Sequence, residues 1–219
     1  MLTRFLMLIV TLLIPPLLCL VAVRAIMSPL FLQVEYTRAG FPDDPYGMTL
    51  SERLSLGPRA VDYLIYDESP EFLSAATFSD GTQLFNEREL IHMRDVQTVT
   101  RVAFSISAAL GAICIASALW LYRKERVRLA AALRRGAVTT VSILAAIVVL
   151  VVTAWDRFFV LFHTLFFADG TWYFPTSDTL IRLFPEQFWF DAAIAVGTLT
   201  FLGAGTLLLL ARRLALNSD

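Results

Sequence analysis

The sequence has few charged residues, two cysteines and two histidines, and each shortage excludes a class of protein. Only 17% of its 219 residues are charged, whereas 57% are hydrophobic, and the mean hydropathy is +0.66. A water-soluble globular domain carries more charge on its surface, so this composition indicates an integral membrane protein. Cys19 and Cys114 both lie inside apolar segments and imply no disulfide framework.

Several short motifs are also missing. The sequence contains neither the His-Glu-x-x-His pattern of zinc proteases nor the Gly-x-Ser-x-Gly turn of serine hydrolases, and no nucleic-acid-binding motif. His92 and His163 lie far apart in the sequence, so they lack the close spacing of a metal site, and no metal is predicted. The apolar segments contain no charged residue of the kind that marks a transport pathway, which argues against a channel or a pump.

Four apolar segments are long enough to cross a membrane, because a spanning helix needs about 20 residues. They are residues 5–23, 102–122, 137–155 and 192–211. The first contains Pro15 and Pro16. The alternative interpretation of this segment is a signal peptide with a cleavage site near Ala25. Its length favours a helix that is retained and kinked at the prolines. The sequence therefore predicts an all-α integral membrane protein, with four transmembrane helices in a single membrane domain over residues 1–219.

The basic residues predict the orientation of this domain. Residues 123–136 are predicted as a loop in which only Glu125 opposes six basic residues, namely Arg123, Lys124, Arg126, Arg128, Arg134 and Arg135. Such loops stay in the cytoplasm. Both termini are then cytoplasmic, and segments 25–100 and 156–190 form a small helical cap on the extracytoplasmic side.

Local patterns predict the structure of the cap. Thr49 and Glu52 form a capping box that begins an amphipathic helix reaching about Tyr66. Residues 72–85 are predicted as a hairpin around Asp80-Gly81. A second helix is predicted from Asn86 into the apolar segment at 102, and a short one begins after Thr176-Ser-Asp178 and ends at Pro185.

Segment 156–190 is too long and too aromatic for a simple connection between membrane helices. Its nine phenylalanines are at positions 158, 159, 162, 166, 167, 174, 184, 188 and 190. Side chains of this kind are buried, so we expect the segment to pack at the outer membrane interface. Phe162, Phe166, Trp172 and Trp189 form either an aromatic belt or the wall of a groove for an acyl chain.

The two histidines are the candidate catalytic residues. If the second and third spanning helices continue unbroken, His92 and His163 lie about 13 Å and about 10 Å beyond their ends, at matched heights. Glu89 and Asp95 flank His92 by one helical turn, and either carboxylate is placed to orient its ring. Phenylalanines around His163 predict a lowered pKa and a neutral, proton-accepting ring. The alternative is that both histidines are structural.

Three stretches resemble the bacterial lipoprotein intramolecular transacylases, four-helix membrane proteins of the Gram-positive envelope. They are LFNERELIHMRDV at 84–96, FHTLFF at 162–167 and TWYFPTSDTLIRLFPEQFW at 171–189, with a weaker match in EYTRAGFPDDPYGMTLSERL at 35–54. The resemblance implies that His92 and His163 are the family's two important histidines. Glu89, Asp95, Asp169 and Asp178 are the candidate orienting or supporting residues. Asp169 and Asp178 are alternatively solvated or capping residues.

The resemblance also implies a reaction. In that family an acyl chain moves from the sn-2 ester of a diacylglyceryl-modified lipoprotein to the α-amine of its N-terminal cysteine, which leaves a lyso-lipoprotein. The implied partners are lipoproteins and membrane lipids, no cofactor is required, and the site faces outward from a bacterial cell membrane. A non-catalytic lipid-binding or lipoprotein-handling membrane protein is the alternative function.

Overall fold

The computed structural model describes residues 1–66, 68–78 and 80–216. Within these ranges the chain forms nine α-helices: α1 (Leu2–Ile26), α2 (Pro29–Thr37), α3 (Leu50–Ile65), α4 (Pro70–Ser74), α5 (Glu87–Lys124), α6 (Arg126–Thr153), α7 (Trp155–Phe166), α8 (Thr179–Leu183) and α9 (Glu186–Leu216). They belong to two compact units, one of residues 1–24, 104–153 and 194–216, the other of residues 25–103 and 154–193.

Four of these helices, α1, α5, α6 and α9, are long and apolar enough to cross a membrane, which confirms the predicted fold class. Each begins before the apolar segment predicted for it, and α1, α5 and α9 also end after theirs. Helix α5 is the longest, with 38 residues, and its apolar, charge-free part is 102–122. We take that part as its membrane-spanning segment. His92 and the charged residues around it lie before this segment.

The first unit packs its long helices through small residues. A Cβ atom added at Gly136 of α6 would lie 2.6 Å from Ile14 Cδ1 of α1, and one at Gly203 of α9 would lie 2.9 Å from Leu18 Cδ2. Glycine therefore lets these backbones approach closely, as is usual between helices in lipid. Val10 and Ala132, both fully buried, belong to the same apolar cluster.

Two predictions about the spanning helices need correction. Residues 123–136 are not a loop: α5 ends at Lys124 and α6 begins at Arg126, so the basic side chains lie on two helix ends around Glu125. The cause is local, because the sequence from Arg126 to Arg135 consists of strong helix formers apart from one valine. The third spanning helix ends at Thr153, before the predicted Trp155, which begins α7 instead.

The second unit begins its helices with the predicted capping signals. Thr49 Oγ1 accepts from the Glu52 N–H at 3.2 Å, and Glu52 Oε2 accepts from the Thr49 N–H at 2.7 Å, so the capping box of α3 is confirmed. Helix α2 was not predicted, although Ser28 caps it and Pro29 occupies its first turn. The expected hairpin is wrong over residues 72–74, which belong to α4, and the described pairing that remains is a single bridge between Thr77 and Gln83.

Buried polar contacts hold the second unit together around an apolar core that includes Leu32, Tyr63, Phe85 and Leu183. Arg53, only 5% exposed, donates to the carbonyl oxygens of Pro42 at 2.7 Å and Arg182 at 3.1 Å. Arg182 in turn pairs with the buried Asp44 carboxylate at 3.0 Å. These contacts fasten the loop before α3 to α8.

Candidate functional site

The first turn of α5 fixes the position of His92. Asn86 Oδ1 accepts from the Glu89 N–H at 3.1 Å, and Glu89 Oε2 accepts from the Asn86 N–H at 2.8 Å, so the helix begins where the sequence predicts. His92 follows one turn after Glu89 and is half-buried. Its place therefore depends on a capped, well-defined helix end.

His163 lies in the last turn of α7, a separate helix from α6. Ala154 interrupts the helical backbone with φ −151° and ψ 53°, so the assumption of one unbroken helix from the third span to His163 is wrong. The Nδ1 atom of His163 lies 2.8 Å from the carbonyl oxygen of Phe159, one turn earlier. A carbonyl only accepts, so Nδ1 carries the hydrogen and Nε2 of the neutral ring presents a lone pair.

The two imidazoles nevertheless come together. Their ring centroids are 6.5 Å apart, with an angle of 22° between the ring planes. The sequence placed His92 and His163 at matched heights, and the structure brings their rings together although the helical backbone breaks at Ala154. Their chemical role remains a prediction.

Aromatic rings enclose the histidine pair. His163 packs against Phe159 at 4.1 Å and Trp172 at 4.7 Å between ring centroids. His92 packs against Phe167 at 5.0 Å and Phe174 at 5.3 Å, both edge-on. Phe159 and Phe167 are among the phenylalanines that the sequence predicts around His163, and Trp172 is a predicted groove residue, whereas the contact of Phe174 with His92 was not predicted.

The enclosure keeps both rings neutral. Burial, and secondly the charge that His163 would carry, lower the pKa of His92 to about 4. Burial also lowers the pKa of His163, but the Phe159 carbonyl acts in the opposite direction because it stabilises the protonated ring. At neutral pH each imidazole can accept a proton, and His163 has a partner that stabilises the resulting charge.

Two buried nitrogen atoms of this cluster have no hydrogen-bond partner in the part of the chain that the structure describes. They are Nδ1 of His92 and Nε1 of Trp172. Buried polar atoms are nearly always paired, so unpaired ones at a candidate site need an explanation.

Glu89 does not orient the His92 ring, which corrects the sequence-based interpretation. Its carboxylate is 1% exposed, and its two oxygens accept from the Asn86 N–H and, at 2.6 Å, from the Leu180 N–H. The latter bond joins the start of α5 to the start of α8. Glu89 therefore supports the site by fastening the segment that carries Trp172 and Phe174. No sequence pattern had indicated this partner.

The other three carboxylates also make no hydrogen bond with either histidine among the described residues. Asp95 is half-buried on α5, one turn after His92, and Asp169 is exposed in the turn that follows α7. Asp178 precedes α8 and pairs with Arg88 at 3.5 Å. No three described side chains of His, Cys, Asp or Glu converge as a metal site.

Three of the four predicted groove residues lie near His163. Phe162 is 5.6 Å from the His163 ring, Phe166 is 5.2 Å from Phe162, and both are nearly half exposed. Trp172 stacks directly on His163. Trp189 is elsewhere: its ring contacts are Phe184 and Phe188, and its Nε1 donates to the Phe184 carbonyl at 3.1 Å. The described contacts of Trp189 therefore do not join it to the cluster around His163.

Comparisons with known proteins identify the fold and the family of the chain. The chain is 31% identical over 179 residues to an uncharacterized protein of Aquifex aeolicus (strain VF5). The aligned region covers 82% of this chain and 80% of that protein. Its fold is similar to the in meso structure of the membrane-integral lipoprotein intramolecular transacylase Lit from Bacillus cereus, with a TM-score of 0.78 and 23% identity over 98% of this chain and 96% of that one.

A histidine-to-arginine variant of the same Bacillus cereus protein matches with a TM-score of 0.73 and 21% identity, over 98% of this chain and 92% of that one. The model of the family described as "Lipoprotein intramolecular transacylase Lit" matches residues 5–189, a range that contains both histidines and their aromatic enclosure. The chain therefore belongs to the lipoprotein intramolecular transacylase Lit family.

Proposed function

We propose that this acyltransferase moves the sn-2 acyl chain of a diacylglyceryl-modified lipoprotein to the α-amine of the same molecule's N-terminal cysteine. Family membership gives the acyl transfer and the lipoprotein substrate. The observation that carries the finer reaction is the pair of neutral imidazoles, 6.5 Å apart in an aromatic enclosure. Converting an ester to an amide within one molecule requires proton transfer and positioning, but no oxidant, second substrate or cofactor.

His163 is the general base. Because its Nδ1–H donates to the Phe159 carbonyl, Nε2 is the free nitrogen that takes a proton from the attacking amine. The same carbonyl stabilises the imidazolium that forms, as the orienting acceptor does in other histidine-based catalysts. The lowered pKa keeps this nitrogen unprotonated at neutral pH.

His92 is the donor to the developing oxyanion. A pKa of about 4 keeps its ring neutral, and a neutral imidazole can donate a hydrogen bond without giving up the proton. The nearby His163 also disfavours a second positive charge on His92 while His163 is protonated. The two histidines thus have different roles, which follow from the carbonyl partner that only His163 has.

The proton balance closes within this pair. The amine lone pair forms the N–C bond, the carbonyl electrons move to oxygen, and His163 Nε2 takes the amine proton. The tetrahedral intermediate then breaks its bond to the glyceryl oxygen, which leaves with the proton from His163. The products are an amide and a free glyceryl hydroxyl, and the enzyme returns to its neutral state.

This function predicts a specific change in lipoprotein N-termini. Cells that express the protein should contain N-acyl lyso-lipoproteins, whereas otherwise identical cells without it should contain the diacylglyceryl isomer. Because the two isomers have equal mass, fragmentation of the N-terminal lipopeptide by mass spectrometry is the measurement. A lipid-binding protein with structural histidines would leave the fragmentation pattern of the lipopeptides unchanged, and that result would favour the alternative function.

We further propose that the basic helix ends around Glu125 and both termini are cytoplasmic, with the histidine pair on the outer face. The concentration of arginine and lysine from Arg123 to Arg135 supports this orientation. In a background without Cys19 and Cys114, an impermeant thiol reagent added to intact cells should label Ser177→Cys but not Arg135→Cys. Both positions are exposed in the structure. The reverse labelling pattern would contradict the orientation.

A further inference from the structure

Trp172 has a buried hydrogen-bond donor with nothing to bind. Its side chain is only 4% exposed, and its Nε1–H has no partner in the described structure. Indole nitrogen can only donate, so no change of tautomer or rotation can satisfy it in place. Trp189 provides the contrast, because its Nε1–H donates to the Phe184 carbonyl at 3.1 Å.

The unpaired donor belongs to the ring that covers the proposed base. Trp172 stacks on His163 with 4.7 Å between ring centroids and 29° between ring planes. His92 Nδ1, the other unpaired nitrogen of the cluster, belongs to the ring on which His163 also stacks, at 6.5 Å. Two buried nitrogens without partners therefore belong to the two rings that flank His163.

Stacking alone does not require tryptophan at this position. Phenylalanine already provides the enclosure at Phe159, Phe167 and Phe174, and it would cover His163 without burying an unpaired polar atom. A buried polar group without a hydrogen-bond partner destabilises the folded protein. A group of this kind in a native structure needs an explanation, and a functional role is one. The nitrogen of Trp172 is thus best explained by a partner that is present only during the reaction.

We propose that the Trp172 Nε1–H donates a hydrogen bond to the acyl carbonyl oxygen of the substrate, as a catalytic residue beside His92. The inference rests on the acyl transfer proposed above. When the amine adds to the carbonyl carbon, the carbonyl electron pair moves to oxygen, and a fixed donor stabilises the charge that appears there. No proton leaves Trp172, and no further reactant is needed.

The test compares Trp172→Phe with Trp189→Phe in purified protein, with a synthetic diacylglyceryl lipopeptide as substrate. We expect Trp172→Phe to lower kcat by about 10- to 1,000-fold with a small change in KM, because the lost bond strengthens in the transition state. Trp189→Phe should keep the wild-type kcat and lose some thermal stability.

A Trp172→Phe protein with the wild-type kcat would overturn the inference. A second measurement separates this inference from the proposed function: a phosphonate analogue of the ester, which imitates the tetrahedral intermediate, should raise the thermal midpoint of the wild type and of Trp189→Phe more than that of Trp172→Phe. If the wild type leaves the lipopeptide unchanged, the proposed function fails and the phosphonate comparison still decides the role of Trp172.

Discussion

Replacement of His163 by alanine is expected to lower the rate of acyl transfer by about 100- to 10,000-fold, the usual contribution of a positioned acid or base. The side chain is half-buried at the end of α7 and contributes to an aromatic cluster, so the variant should still insert and accumulate. The measurement is the fraction of lipopeptide whose fragments show an acylated α-amine. Added imidazole should restore part of the rate by occupying the vacated space, whereas it would not correct a purely structural defect.

The pH dependence of the wild type provides an independent readout of the same residue. Burial holds the pKa of His163 below its ordinary value of about 6.5, so the ring stays unprotonated into mildly acidic solution. The rate should therefore show a fall whose midpoint lies below that value, because protonation removes the lone pair of Nε2. The substrate's α-amine, with an ordinary pKa of about 7.7–8.0, must also be unprotonated and causes a separate fall at higher pH. A His163→Ala protein that converts lipopeptide at the wild-type rate would refute the base assignment.

Local sequence patterns were sufficient for the elements that depend on local interactions. The four apolar segments, the capping box at Thr49 and the start of α5 near Asn86 each follow from residues close in sequence, and the structure has them. The basic segment around Glu125 was mistaken for a loop because charge was read as a sign of exposure. Helix propensity decides that segment, since it contains no residue that breaks a helix before Gly136.

The end of the third span shows the limit of such patterns. The sequence around Ala154 does not predict a break in the helix, because it contains neither proline nor glycine. The residues after it form an amphipathic helix whose ring contacts, including that of Trp155 with Phe190 at 5.3 Å, lie within the second unit. Tertiary packing, which a single sequence does not display, therefore decides where α6 stops and α7 begins.

The histidine pair and the aromatic rings around His163 were predictable from the sequence, but the hydrogen-bond partners of the nearby Glu89 carboxylate were not. Counting helical rise placed His92 and His163 at similar heights, and the rings do meet, even though one assumption behind the count was wrong. The bond from the Leu180 N–H to Glu89 joins residues that are 91 positions apart, and no spacing rule relates them. The sequence therefore suggested an orienting role for Glu89, although its oxygens accept from the Asn86 and Leu180 N–H groups instead.

Replacement of His92 by alanine is expected to lower the rate by about 100- to 1,000-fold, as the loss of an oxyanion donor does. Asp95→Asn is the matched control on the same helix, and we expect a rate near that of the wild type because the Asp95 carboxylate makes no hydrogen bond with His92. The same lipopeptide fragmentation measures both variants. If Asp95→Asn loses as much activity as His92→Ala, the ring depends on that carboxylate after all.

His92 should also make the protein less stable in acid, because burial lowers its pKa in the folded state. The folded value of about 4 lies below the unfolded value of about 6.5, so between these values the unfolded chain binds more protons. The free energy of unfolding should therefore fall as pH decreases from about 6.5 towards 4, and His92→Ala should weaken this dependence. Thermal midpoints of both proteins across that pH range measure it. An unchanged slope in His92→Ala would show that the ring is not held neutral by burial, and the oxyanion-donor role would lose its physical basis.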